Sequence, residues 1–348
     1  MTTPRLAGFS MPPEWVPHTR TWMEFPTPNI TFDNEADVVL ARRKWTEVAN
    51  AIARFEPLSM VCNTGDAEIA RSMFDPAVAD NIETHETPID DAWARDSGPT
   101  FLTHPDGRLG ATHWRFNAWG NAGFSRFDDE QHVGAFIAGL AGAELFSSEM
   151  TNEGGGLHVD GRGTVMCTHT VQLDPGRNPS MNTESVDTEL RAYLGVTSTV
   201  WVPRGLTKDY DRFGTRGHID IVACFTPTGP VLAHTQRDRS HPDFEVCREN
   251  LDILRGARHA DGTPFEVIEV PAPQQTHDDG DIVDWSYINH YVCNGAVILC
   301  TFDDPHDAEV IDIMRSVYPG REIVPIDSRD IFCFGGGIHC ITQQQPAV

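Results

Sequence analysis

A thiol, an imidazole and several carboxylates, each close to glycine, are the residues through which this 348-residue chain could do chemistry. The thiol is Cys340, delivered near the C-terminus by Gly335-Gly-Gly-Ile-His-Cys340. Glycine permits left-handed backbone and close approach of main chain to a ligand, so a cysteine presented this way reads as reactive. Cys224 and Cys300 lie in aliphatic runs and read as packed thiols. The imidazole is His218, in Gly217-His-Ile-Asp220. The remaining acids are Asp96, in Trp93-Ala-Arg-Asp-Ser-Gly, and Glu153, in Asn152-Glu-Gly-Gly-Gly. Gathered in one pocket, these groups suit attack on a planar, cationic carbon. Asp96 and Asp220 would grip a guanidinium through paired hydrogen bonds. Cys340 would attack its carbon, with the substrate cation and protonated His218 lowering the thiol pKa. His218 would protonate departing ammonia and then activate water against the covalent thiouronium. Glu153 would orient His218 or balance its charge.

Plainer roles exist for each residue taken alone. Asp96 and Arg95 could form a turn with an Asx hydrogen bond. His218 could be a satisfied structural histidine, and Glu153 a surface residue where a strand begins. His218 and Asp220 could open a metal site, but no third ligand follows at a familiar spacing, so no metal is expected. The reactive reading gains weight because these residues recur at equivalent places in an internal repeat.

The repeat is a polar or glycine-rich start, a strand, a tight glycine turn and a second apolar strand. It is legible around Gly107, Gly163, Gly229 and Gly295, the last three equally spaced, and begins again in Phe334–Thr342. Helical stretches follow at Asp129–Leu140, Glu184–Leu194, Asp243–Leu254 and His306–Val317, the last with an apolar face near the 3.6-residue period. Short β-rich runs come next, at Thr199–Pro203, Phe265–Val270 and Glu322–Ile326. The unit is therefore strand–strand–helix–strand. The fifth copy lacks its helix and last strand, which the N-terminus supplies as helix Glu35–Phe55 and strand Leu58–Cys62. The expected fold is α/β, a five-bladed pseudo-symmetric ββαβ propeller forming one catalytic domain over residues 1–348. Joining the two chain ends would close the ring and remove sheet edges. The first strand of each unit would then present Asp96, Glu153, His218 with Asp220, Asn289 and Cys340 to the axis.

Composition bounds the partners. There are 51 acidic against 26 basic residues, a formal charge of −25, which excludes nucleic acid and anionic membranes and favours a small cation. No window reads as a membrane span, and the first residues carry no apolar signal region. Eight cysteines without a C-x-x-C pair fit a reducing cytoplasm that keeps a nucleophilic thiol free. Oligomeric state is not legible, and a homo-oligomer stays open.

These motifs, with Met11-Pro-Pro-Glu-Trp-Val-Pro-His, Trp114-Arg-Phe-Asn-Ala-Trp-Gly, Arg177-Asn-Pro and Asn294-Gly, resemble the agmatine deiminase and bacterial-type peptidylarginine deiminase family of the guanidine-modifying penteins. The resemblance spans nearly the whole chain. It implies a pentein propeller and cofactor-free hydrolysis of a guanidine, most simply agmatine, to a ureido product and ammonia. It implies Cys340 as nucleophile, His218 as acid/base, and Asp96 and Asp220 as guanidinium carboxylates, with Trp93 packing on substrate and Asn289 and Gly155 as further contacts. Two positions depart from the family. Arg216 precedes Gly-His where aspartate is common, and Glu24 stands where an uncharged residue is common. At the cavity mouth, Arg216 would pair a substrate carboxylate and Glu24 would receive an amino group, which would make free arginine or another guanidino acid the substrate. The alternative for Arg216 is an outward turn to a surface acid such as Asp211. An amidinotransferase and a non-catalytic pentein binding protein are the remaining readings.

Overall fold

A computed structural model describes residues 2–121, 123, 125–278 and 280–348. Four of its sheets repeat one pattern. Strand Thr100–Thr103 runs antiparallel to Leu109–Arg115, which pairs in parallel with Glu144–Thr151 after helix Val133–Leu140. Strands His158–Val159, Thr164–Thr168 and Ser198–Val202 do the same around helix Thr183–Leu194. Strands Ala223–Phe225, Val231–Thr235 and Val267–Pro271 flank helix Asp243–Gly256. Strands Tyr291–Cys293, Ala296–Thr301 and Glu322–Asp327 flank helix Asp307–Val317. A parallel pair needs a crossover of this length, so each helix is the connection that its sheet demands.

The hairpin glycines explain the repeat. Gly107, Gly163, Gly229 and Gly295 have φ of +88°, +101°, +111° and +77°, a region that side chains other than glycine rarely enter. The helices are set by local chemistry too. Asn182 and Ser185 cap the start of Thr183–Leu194 reciprocally, and Gly195 ends it at φ +72°. Helix Asp307–Val317 buries Val310, Met314 and Val317, one stripe at helical spacing. Strand Ala296–Thr301, paired on both edges, is buried at every residue, as a near-continuous apolar run requires.

The fifth sheet joins the two chain ends through the expected N-terminal helix and strand Leu58–Cys62, but one of its strands was not legible in the sequence. Its order is Thr342–Pro346, His18–Glu24, Leu58–Cys62, Ile82–Glu86. The C-terminus contributes one strand rather than a hairpin. Its antiparallel partner is His18–Glu24, and helix Glu35–Ala53 then leads to the parallel strand Leu58–Cys62. The hairpin is cut at its turn, so no glycine signal marks it. His18–Glu24 is a mixed polar sequence that is nevertheless buried at its last four positions. Helix Ala67–Met73 adds the extra edge strand Ile82–Glu86. A two-stranded ribbon, His277–Asp278 with Asp281–Ile282, lies outside the repeat. No helix is long and apolar enough to cross a membrane among the described residues.

Candidate active site

The site residues lie just before the first strand of each unit, not on it. Asp96 is in the single-turn helix Ala94–Ser97, Glu153 immediately precedes the turn Gly154–Gly156, and His218 begins the turn Ile219–Ile221. Asn289 and Cys340 each fall two residues ahead of a strand. A strand sends alternate side chains to opposite faces. A short helical turn ahead of it can instead aim one side chain at a common point. The shared point is marked by Gly155. A Cβ there would come within 2.5 Å of His218 Nδ1 and 2.9 Å of both Asp96 Oδ1 and Asp220 Oδ2. Only glycine leaves that space open. Gly155 also donates its N–H to Asp96 Oδ1 at 3.0 Å.

The thiol closes the group. Cys340 Sγ is 3.6 Å from Asp220 Oδ2 and 3.3 Å from Asn289 Nδ2. A Cβ on Gly336 would lie 3.0 Å from that sulfur and 2.8 Å from the Trp93 ring. The indole therefore faces the same small space as the nucleophile. Two buried polar atoms in the group, His218 Nδ1 and Asp220 Oδ1, have no hydrogen-bond partner. A buried group left so is costly, and a planar donor cation is what would satisfy the carboxylate oxygen.

Electrostatics assign the protonation states. Burial alone would lower the His218 pKa, but Asp96, Glu153 and Asp220 outweigh it and raise it to about 9. Glu153 is held at about 2: burial opposes this, while Arg177 and His218 favour its anion. His218 Nε2 is 3.3 Å from Glu153 Oε2, and its Nδ1 is 3.8 Å from Asp96 Oδ2. Burial raises Asp96, with Asp220 and Glu153 adding to it against His218 and the Trp119 hydrogen bond. Asp220 shifts the other way, because His339, His218 and Arg95 overcome its burial. Burial, Asp220 and Asp96 hold the Cys340 thiol well above its usual range. These groups therefore set a thiol beside an imidazolium, and the thiolate expected for attack depends on the charge of the substrate cation.

Two expected contacts are absent from the group. Glu24 lies under the helix that carries Asp96, buried, accepting from Ser97 Oγ at 2.6 Å. Burial and the neighbouring Glu130 push its pKa far up, so it is a neutral acid in the sheet and not a receiver of an amino group. Its place on a strand paired on both edges puts it there. Arg216 reaches neither the thiol nor Asp211. It pairs with Asp174 at 3.1 Å, while Asp211 takes Lys208 at 3.1 Å. Arg216 sits at φ +69°, a strained value for its residue type, which turns its side chain toward Asp174.

Other residues of the site stood in the quoted motifs without a role assigned to them. Arg177, fully buried, donates through Nε to both oxygens of Glu153 at 2.9 and 3.0 Å and through Nη1 to Asp174 at 2.8 Å. Trp119, at φ +54°, delivers its indole N–H to Asp96 Oδ2 at 2.8 Å. His339 and Glu14 lie behind Asp220. Their membership of the quoted motifs, and the adjacency of His339 to Cys340, were the available hints.

Against known proteins, the family model for Porphyromonas-type peptidyl-arginine deiminase matches residues 10–346, and the chain belongs to that family. A provisionally named agmatine deiminase of Streptomyces avermitilis is 50% identical over 348 residues, covering 99% of each chain. The agmatine deiminase of Pseudomonas aeruginosa is 37% identical over 368 residues, covering 99% of this chain and 98% of its own. Among solved structures, agmatine deiminase of Enterococcus faecalis superposes with a TM-score of 0.92 at 29% identity, covering 100% of this chain and 98% of its own.

Proposed function

We propose that this chain is an agmatine deiminase. It hydrolyses the guanidinium of agmatine to a ureido group, releasing ammonia. The observation that carries the reading is the convergence of Cys340, His218, Asp96 and Asp220 on the space at Gly155, with Asp220 Oδ2 facing it and the other oxygen of the same carboxylate buried without a partner. Asp96 and Asp220 bind the guanidinium, and Trp93 packs against it. The added cation offsets the carboxylate field that holds the thiol protonated, so binding itself favours loss of the Cys340 proton to solvent. The thiolate adds to the guanidinium carbon. The bond to a terminal nitrogen breaks, and the His218 imidazolium supplies the proton with which it leaves as ammonia. The planar thiouronium remains on Cys340. Neutral His218 then removes one proton from water as its oxygen attacks the same carbon, the C–S bond breaks, and the remaining hydroxyl proton passes to the departing thiolate, leaving the ureido product, the thiol and the imidazolium.

Agmatine is favoured over a guanidino acid by the position of Arg216, which is committed to Asp174. It is favoured also by a cavity of about 430 Å³ lined by Asp211, Asp281 and Asp284 against Lys208 and Arg212. Gly335 lines that cavity, and the next residue faces the thiol. An alkyl ammonium fits this charge balance better than a carboxylate. We further read the five sheets as blades ranged about one axis, and the enzyme as a cytoplasmic one that uses no nucleic acid or membrane partner. The test is parallel measurement of ureido product and ammonia with agmatine, arginine and 4-guanidinobutyrate. Equal yields of both products, with agmatine strongly preferred, are expected. Turnover of another guanidine without turnover of agmatine would overturn the substrate. Loss of guanidine without ammonia would indicate transfer to an amine.

A further inference from the structure

The two oxygens of Asp220 differ. Oδ1 is buried without a partner, whereas Oδ2 is 2.8 Å from His339 Nδ1. The other ring nitrogen of His339, Nε2, is 2.9 Å from Glu14 Oε1. Both ring nitrogens thus face carboxylate oxygens, which accept only. A neutral imidazole donates through one nitrogen, so only the imidazolium satisfies both contacts. Glu14 comes from Met11-Pro-Pro-Glu14-Trp15, a motif that the hydrolytic mechanism leaves unused. Its carboxylate is buried and also meets Arg95 at 3.3 Å and His158 at 3.6 Å. Arg95 in turn donates from its backbone N–H to the Cys340 carbonyl and from Nε to the His339 carbonyl. The N-terminal segment is therefore tied under the residue that carries the thiol.

We propose that His339 and Glu14 form an ionised positioning dyad, which fixes Asp220 through Oδ2, the oxygen that also faces Cys340 Sγ at 3.6 Å, and so keeps its carboxylate an anion placed for the substrate guanidinium. The idea rests on the deiminase reading, since it assigns Asp220 a substrate cation. Neither residue touches the reacting atoms; both act through Asp220. Titratable groups face the dyad from several elements. Around Asp220 lie His339, His218, Arg95, Asp96 and Cys340. Around His339 lie Glu14, Asp220, Arg95 and His290; around Glu14 lie His339, Arg95, His158, His290, Cys224 and Tyr318; and Cys224 and Cys300 also face Asp220. The directions agree. Burial and Arg95 would lower the His339 pKa, yet Glu14 and Asp220 raise it, and Glu14 falls well below the carboxylate range despite its burial.

The experiment is Glu14→Gln, which keeps size and hydrogen bonding but removes the anion. Neutral His339 then no longer supports the Asp220 charge, so the acid limb of kcat/KM should move up by about one pH unit or more. The KM for agmatine should rise about tenfold, as expected for weakening one charge-assisted contact, while kcat on the alkaline side changes little. A lower melting temperature with the acid limb and KM unmoved would reduce Glu14 to a structural anchor and overturn the dyad. A second measurement needs neither the variant nor turnover. Nitrogen-15 NMR of the wild-type histidine rings near neutral pH should find His339 protonated at both nitrogens, and a neutral tautomer would overturn the proposal. Failure of the deiminase reading shows separately, as absence of agmatine hydrolysis by the wild-type enzyme.

Discussion

The site has two walls, and they are supported by different chemistry. Behind His218 stands Glu153, gripped by Arg177, whose remaining nitrogens reach Asp174 and the Thr215 carbonyl at 2.8 Å each. Behind Asp220 stands His339, gripped by Glu14. Arginine keeps its charge at every working pH, whereas histidine can lose it. The residue that must change protonation state in each half-reaction is backed by a fixed charge. The residue that must remain an anion is backed by an imidazole boxed between two acids. The catalytic wall is thus built to leave one group free to titrate, and the binding wall is built to stop a group from titrating.

The largest break in this comparison should come from Arg177→Met. It strands the buried Glu153 carboxylate, a loss of about 3–5 kcal/mol in stability when one partner of a buried pair is removed. Where the variant folds, Glu153 is driven toward its neutral form, His218 loses its counter-ion, and kcat/KM should drop by about two orders of magnitude or more. Arg177→Lys keeps the charge without the planar fork and should recover part of the loss. Steady-state kinetics with denaturant unfolding checks both. Equal activity in wild type and Arg177→Met would mean that the Glu153–His218 contact is incidental.

The same contrast explains what could be read before the structure. The hairpins announced themselves because Gly163, Gly229 and Gly295 must occupy positive φ, a local demand that leaves a mark in sequence. Cys340, His218 and Asp220 were legible because reactive types beside glycine are rare enough to notice. Glu14 and His339 were not, since each pairs with residues far away in the chain, and no local pattern encodes a contact between residues 14 and 339. Glu24 misled for the opposite reason. A substitution beside a recognised motif invites a functional role, but its carboxyl is buried under Ser97 in the sheet. Strand His18–Glu24 stayed hidden because its hairpin partner is at the other end of the chain.

A middle-sized effect sharpens the catalytic wall. The His218 pKa is raised from 6.5 to about 9 in the folded protein. Its pairing therefore stabilises the fold fully below the unfolded value, and that contribution is lost as pH rises through the folded one. The difference is on the order of 3 kcal/mol. Urea unfolding across this window should show wild-type stability falling with pH and a His218→Gln variant with a flatter profile. Parallel profiles would place the His218 pKa near its ordinary value and remove the imidazolium from the resting site.

The smallest effect belongs to the outer end of the catalytic wall. Arg216 is half-exposed where it pairs with Asp174, so the pair is worth about 0–1 kcal/mol. Arg216→Gly removes it while relieving the φ of +69°. Stability should stay within about 1 kcal/mol, and kcat/KM for agmatine and arginine should shift together by less than about threefold. Opposite shifts for the two substrates would return Arg216 to the choice of substrate.

The central claim is that Cys340 itself takes the amidine carbon from a substrate held by both walls. Its most direct test is mass spectrometry of enzyme quenched in acid during turnover of agmatine. The account predicts a protein heavier by agmatine less ammonia, with the added mass on the peptide that contains Cys340 and absent from Cys340→Ala, which should be folded and inactive. Turning-over enzyme with Cys340 unmodified, together with activity retained in Cys340→Ala, would contradict it.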